Sequence, residues 1–333
     1  MARKNVIPVF VPHAGCPHAC VFCNQRRISG ASEPATAETV RRAAEGWRGG
    51  PCDLAFYGGS FTALPDERQE ELLGAAQPFL SLHPGNALRL STRPDAVDDA
   101  VIGRLLQYGV KTVELGVQSM DGRVLTLSER GHTPEDAVRA AGLVKDAGLA
   151  LILQMMTGLP GDTPDTSRYT ARKLIDLKPD GVRIYPTVVV RDTALWDMYR
   201  RGAYREHTVE DAVSLCAALV PMFQAAGIPV IRLGLNPTEE LSAGGAAAGA
   251  YHPALGELVF RRIYLERARA LLRGAGAFGC AVTLGVPRGR LSLMTGQSRS
   301  SIRVLMREFR LERLDVRESE NAEIVILDIE KHG

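Results

Sequence analysis

The chain has 333 residues, 45% of them apolar, and 40 Lys and Arg against 38 Asp and Glu leave a net charge of +2. That apolar fraction excludes global disorder and supplies core for one large α/β domain plus a small one. So small a net charge excludes a nucleic-acid surface spread over the whole chain, and any such surface must be local. The opening MARKN and the apolar run 6–11 are too short for a membrane span, and no small-residue cleavage site follows. The expectation is a cytoplasmic protein with no membrane partner.

Taken in chain order, strand-like runs at 6–11 (VIPVFV), 53–57 (DLAFY), 87–91 (ALRLS), 111–117 (KTVELGV), 149–155 (LALILQM) and 181–185 (GVRIY) alternate with amphipathic segments. Those segments are 36–47, 66–81, 95–107, 134–147 and 164–177, with Thr36 and Thr133 placed as N-caps ahead of acidic first turns. The alternation predicts βαβ units on a parallel sheet, and six units suit a partial (β/α)6 TIM-like barrel within the α/β class. A helix at 208–225 and a strand at 228–233 extend this domain over 1–235. The Gly/Ala-rich, non-periodic stretch 236–253 reads as a linker. Residues 254–333 then form a small α+β domain: a helix at 254–272, a strand near 278–284, a helix near 298–309, and strands near 313–317 and 323–329.

The polar and glycine-rich pieces fall at the C-terminal ends of the strands: PHAGCPHAC, GGSFT, TRPD, QS, TGLPGDT and YPT, in that order. In parallel β/α folds that edge carries the active site, so these motifs are expected around one cavity. The first holds Cys16, Cys20 and Cys23, three soft ligands in eight positions. A structural zinc site takes four protein ligands, as does an electron-transfer iron–sulfur cluster. Spacing alone leaves zinc open, with His13 or His18 as the fourth ligand. Position favours a [4Fe–4S] cluster with one iron left free, because a closed structural site has little purpose on a cavity rim. Cys52, Cys216 and Cys280 are scattered among apolar neighbours and read as buried side chains.

The C-x3-C-x2-C loop after the first strand and the Gly-Gly motif after the second resemble the radical S-adenosylmethionine (SAM) enzymes. Within them, STRPD (91–95), ELGVQS (114–119), RGHT (130–133), LPG (159–161) and the segment 183–204 resemble the radical domain of the Elongator catalytic subunit. The resemblance covers residues 5–235. It implies reductive cleavage of SAM at a [4Fe–4S] cluster on Cys16, Cys20 and Cys23, giving a 5′-deoxyadenosyl radical. Gly58 and Gly59 would allow close backbone approach to the methionine part, and Ser60 stands where many relatives have Glu. Gln118 would contact the ribose, Arg130 the SAM carboxylate, and Thr92 and Gln154 the cofactor rim. Arg183 and Tyr185 would be catalytic groups on the substrate side. A low-potential donor such as ferredoxin or flavodoxin would supply the electron. The Elongator subunit carries an acetyltransferase domain after its radical domain. Residues 236–333 are too few for one, so its carboxymethylation chemistry is not expected here.

Between Arg288 and Arg313 stand seven arginines against Glu308 and Glu312. Order and lengths in this tail resemble a K-homology RNA-binding module, with Gly296-Gln297-Ser298-Arg299 in place of its GXXG loop. Ile302, Leu305 and Phe309 would be the core face of the following helix, and Arg299, Arg303 and Arg307 its RNA-binding face. The function expected is therefore radical SAM modification of an RNA base, with tRNA favoured as the RNA. The alternatives are the same chemistry on a small molecule such as a porphyrin, or a non-catalytic iron–sulfur RNA-binding or sensor protein.

Overall fold

The computed structural model describes residues 5–11, 15–24, 28, 33 and 35–330. The chain divides into two compact units, residues 1–212 with 219–253, and residues 213–218 with 254–333.

The first unit is built on seven parallel strands: β1 (Asn5–Phe10), β2 (Cys52–Tyr57), β3 (Ala87–Thr92), β4 (Val110–Gln118), β5 (Ala150–Thr157), β6 (Gly181–Pro186) and β8 (Val230–Leu233). They pair in the order β1-β2-β3-β4-β5-β6-β8, so the sheet follows the chain without reversal and curls into a half-barrel. The six expected strands are present, and 228–233 supplies the seventh.

Side-chain alternation explains the two faces. In β3, Leu88 and Leu90 are buried while Arg89 and Ser91 line the barrel cavity. In β4, Val113, Leu115 and Val117 are buried while Thr112, Glu114, Gly116 and Gln118 line it. In β6, Val182 and Ile184 alternate with Arg183 and Tyr185 in the same way. The apolar parity receives the helices, and the polar parity is left for the interior.

The main crossover helices are α1 (Ala37–Glu45), α2 (Asp66–Ala75), α3 (Gln77–Leu82), α4 (Asp99–Gln107), α5 (Gly122–Leu127), α6 (Pro134–Asp146) and α7 (Pro164–Asp176). Thr36 and Thr133 do cap α1 and α6, each in a reciprocal capping box, and Thr163 does the same for α7. The single helix expected over 66–81 is two, because Pro78 cannot continue the first and sits in the opening turn of the second.

After β6 come β7 (Val188–Val190), α8 (Ala194–Arg200) and α9 (Val209–Ala225). Residues 236–253, read above as a linker, contain β9 (Ala246–Gly249), which pairs antiparallel with β7. A run of Ala and Gly carries no periodic signal, and this strand owes its form to its partner.

In the second unit, α10 (Leu255–Gly274), β10 (Ala281–Pro287), α11 (Leu291–Thr295), α12 (Ser300–Phe309), β11 (Arg313–Ser319) and β12 (Val325–Glu330) follow in order. The sheet runs β11-β10-β12, with β10 parallel to β11 and antiparallel to β12. Its core includes Leu272, Leu284, Met294, Ile302, Leu305 and Phe309.

Candidate active site in the half-barrel

The half-barrel encloses a cavity of about 2220 Å³ lined by side chains from all seven parallel strands. Cys16, Cys20 and Cys23 face it from the loop after β1. Gly15 has φ +72°, and a Cβ there would lie 2.2 Å from Ser60 O and 2.9 Å from Leu64 N. Glycine is what lets the cysteine loop dock against the segment after β2. The loop is pinned further on: Val21 N donates to Ser128 O (3.2 Å), and Leu195 N donates to Val21 O (2.7 Å).

Burial pushes the Cys16 thiol up, against the pull of Arg130. Among the described residues, no three His, Cys, Asp or Glu converge on one point as a single metal ion requires. A four-iron cluster binds each cysteine through a different iron, so its sulfurs need no common point. Of the two histidines named as zinc ligands, His13 lies outside the described residues. The His18 ring packs on Gly131, where a Cβ would come within 2.3 Å of it. Cys52 pairs with Asn5 at the start of β1, the strand end opposite the cysteine loop. Cys216 is fully buried in α9, its thiol pushed up to about 12 by burial.

Gly58 (φ +91°) and Gly59 line the cavity after β2. Ser60 is buried instead: its Oγ meets Thr92 Oγ1 at 2.9 Å and accepts from Arg93 N at 3.2 Å. Thr92, which lines the cavity, also meets Thr62 Oγ1 at 2.6 Å. The Ser60 hydroxyl thus braces the loop after β3.

Gln118 ends β4 with φ +66°, at an irregularity in the β4–β5 register. Its Oε1 is buried without a partner. Arg130 donates to Cys20 Sγ (3.3 Å) and to Gly116 O (2.6 Å), and its buried Nε has no partner. A Cβ at Gly116 would lie 2.8 Å from Arg130 Nη2 and 2.9 Å from Gln118 Nε2. The glycine of ELGVQS makes room for both side chains. Arg93, 2% exposed, pairs with Asp95 and donates to Arg130 O, while its Nη1 is unpartnered. His132 meets Val117 O at 3.1 Å, and burial, followed by the charges of Arg130 and Arg93, lowers its pKa to about 4. At neutral pH it is an uncharged brace.

Deeper in the cavity lies a charge cluster. Glu114 is fully buried, accepts from Tyr57 Oη (2.6 Å), Arg183 Nη2 (3.0 Å) and Gln154 Nε2 (3.3 Å), and forms an ion pair with Arg89 Nη2 (2.8 Å). Arg89 also pairs with Asp53 at 3.3 Å. Burial is the largest single influence on Arg183 and opposes its charge, but Glu114, Tyr185 and Tyr57 together outweigh it and the net shift is upward. Burial and then Glu114 raise the Tyr57 phenol above its ordinary value. Arg183 Nη1 donates to Tyr185 Oη at 3.2 Å. The structure therefore groups Arg183, Tyr185 and Gln154 around Glu114, and Gln118 and Arg130 beside the cysteines.

Sequence reasoning missed Glu114, Arg89, Tyr57 and Asp53. The available signal was a lone charge at the cavity-facing parity of an otherwise apolar strand, as in ALRLST and VKTVELGVQ. In the second unit, Arg299, Arg303 and Arg307 are exposed, while Ile302, Leu305 and Phe309 are buried. Ser298 and Arg299 both have positive φ ahead of α12, and Arg303 donates to Ser298 O.

The radical SAM superfamily model matches residues 10–174, and the radical SAM C-terminal domain model matches residues 179–264. A tRNA uridine(34) acetyltransferase of Methanocaldococcus infernus is 30% identical over 63% of this chain and 48% of its own length. Elongator complex protein 3 of Mus musculus is 27% identical over 63% of this chain and 41% of its own length. The chain thus spans under half the length of these curated relatives. A solved structure of the archaeal Methanocaldococcus infernus Elp3 with an N-terminal deletion superposes with a TM-score of 0.62 at 26% identity, covering 80% of this chain and 64% of that one. Coproporphyrinogen III oxidase of Escherichia coli, with a TM-score of 0.52 at 16% identity over 68% of this chain and 54% of that one, shares the fold. The two family models span most of the chain, and the cysteine loop, glycine pair and strand-end motifs through TGLPGDT lie within the first: the chain belongs to the radical SAM superfamily of enzymes.

Proposed function

We propose that this enzyme modifies a base in RNA, with tRNA as its substrate class, using a [4Fe–4S] cluster and SAM. The observation that carries the cofactor reading is the three-cysteine loop beside buried, unpartnered polar atoms on Gln118 and Arg130. Together with SAM and one electron from a ferredoxin- or flavodoxin-type donor, a bound cluster supplies a 5′-deoxyadenosyl radical. Cys16, Cys20 and Cys23 would hold that cluster. The open Nε of Arg130 suits a carboxylate. The free Oε1 of Gln118 accepts from a hydroxyl. On the substrate side, Arg183 donates to Tyr185 Oη, which leaves the phenolic proton of Tyr185 to donate to a bound molecule. Support for tRNA comes from the uridine(34) acetyltransferase and Elongator relatives.

Anaerobic purification followed by sequencing and mass spectrometry of bound RNA tests the substrate. Copurified tRNA, altered at one base on reaction, supports the proposal, whereas a bound porphyrin-type molecule and no RNA would refute it.

Two outcomes follow for individual residues. Gln118→Ala and Arg130→Ala should weaken SAM binding with the cluster spectrum intact. A charge-assisted pair contributes roughly 1.5–3 kcal/mol, so Arg130→Ala should cost about tenfold or more in Kd by equilibrium titration. Parent-like affinity in both variants would displace the cofactor from this end of β4. Separately, Arg299/Arg303/Arg307→Glu in the full chain should bind tRNA more weakly, with a shallower dependence on salt, because exposed arginines bind phosphate by releasing counterions. Parent-like affinity and slope across a salt series would remove the second unit from RNA recognition.

A further inference from the structure

The rim of the half-barrel carries a second concentration of arginine, within the first unit and outside the site described above. Arg191, Arg200 and Arg201 are all exposed on or beside α8. The acidic residues among them are Asp192 and Asp197. Trp196 stands at their centre, half-buried. The Arg191 Cζ lies 5.1 Å from the Trp196 ring centroid and the Arg200 Cζ 5.8 Å, and Tyr199 stacks on the same indole at 5.9 Å.

This arrangement holds the charges without consuming them. A guanidinium stacked on an aromatic ring uses its face, while its N–H donors lie in its plane and stay available. Arg191 Nε donates to Gly244 O (2.8 Å), and among the described residues its two terminal nitrogens make no hydrogen bond or ion pair. Among the described residues, Arg200 and Arg201 have no ion-pair partner. In-plane forks of this kind fit the oxygens of a phosphate.

The patch is joined to the cysteine loop. Phe22, between Cys20 and Cys23, packs in one apolar cluster with Trp196, Tyr199 and Leu195, and it also lines the cavity. Asn24 Nδ2 reaches Arg191 O at 3.4 Å, and Leu195 N reaches Val21 O. A polyanion bound on this face would therefore lie at the lip of the reaction cavity.

We infer that α8 and Arg191 form a phosphate-docking surface for an RNA strand whose target nucleotide enters the half-barrel, with Trp196 as the positioning residue for two guanidiniums. The inference rests on the reading that RNA is the substrate class, and it names where the strand would be held. Three exposed arginines against two exposed carboxylates, on the rim rather than in the interior, suit a repeating anion better than a small molecule.

The test uses the full chain and an unmodified tRNA transcript, with Kd measured by fluorescence anisotropy over a salt series. Arg191/Arg200/Arg201→Gln should bind at least about tenfold more weakly, with a log–log salt slope shallower by roughly two to three. Arg168/Arg172/Lys173→Gln on α7, an equal change of charge, should bind like the parent. Trp196→Leu keeps the charge and loses the stacking surface. It should bind about threefold more weakly at an unchanged slope. Iron content, read on each variant, reports whether the cysteine loop is intact. A patch variant that binds like the α7 variant overturns the docking surface and leaves the RNA reading standing. A parent that shows no salt-dependent tRNA binding overturns the RNA reading itself, and the docking surface with it.

Discussion

Alanine at Cys16, Cys20 or Cys23 should give a folded chain with no iron–sulfur chromophore and no release of 5′-deoxyadenosine under reduction. The expected loss is complete for each single variant, because a four-iron cluster held by three thiolates has no spare protein ligand. The remaining cysteines cannot substitute. Cys52 sits at the far end of its strand, and Cys216 is closed inside a helix with no exposed surface. The fold should survive, since the loop is held by backbone bonds from Val21 to Ser128 and Leu195, and by the close seating of Gly15. Iron and sulfide analysis with reductive SAM cleavage reads the outcome, and Cys52→Ala should keep its iron. Stoichiometric zinc in a fully ordered, iron-free parent would sink the cluster.

The largest loss of stability is expected at Glu114. Its carboxylate has no exposed surface and is shared by Arg89, Arg183, Tyr57 and Gln154. Removing it leaves the Arg183 guanidinium in the interior without its counter-charge and Arg89 with Asp53 alone. Breaking a buried pair from one side costs about 3–5 kcal/mol, so Glu114→Ala should lower the denaturant midpoint by that equivalent at unchanged m-value. Glu114→Gln keeps the shape and loses the charge, and should recover only part of it. A loss under about 1 kcal/mol for Glu114→Ala would mean that water, rather than the carboxylate, compensates these arginines. Arg183 loses its anchor in either variant, so Tyr185 should lose its fixed orientation as well.

The half-barrel was legible because each strand announces itself twice, by β-branched and apolar content and by the polar motif at its C-terminal end. The first six predicted strands match the observed ones to within two residues at each end. The α12 faces were legible for the same reason, as Ile302, Leu305 and Phe309 keep helical spacing. Other features were not. β9 is a run of alanine and glycine that becomes a strand only beside Val188–Val190. The burial of Ser60 depends on Thr92 and Arg93, more than thirty residues away, and nothing local signals it. Glu114 was read as part of a motif, and its partners were invisible because Tyr57, Arg89, Gln154 and Arg183 come from four other strands. Pairwise chemistry between strands is set by curvature, which sequence period alone does not encode.

The sheet that positions this chemistry never closes on itself, and its two ends are β1 and β8. A closed barrel has no free margin, whereas an unclosed one exposes two rows of backbone donors and acceptors that invite a foreign strand. Both margins are blunted here. β1 carries Pro8 at its centre, a position with no N–H to offer, and β8 is four residues long and follows Pro229 directly. Proline and brevity are what keep an outer strand from serving as a template. The cost of leaving the sheet open is thus met at the margins, where two prolines guard it against self-association.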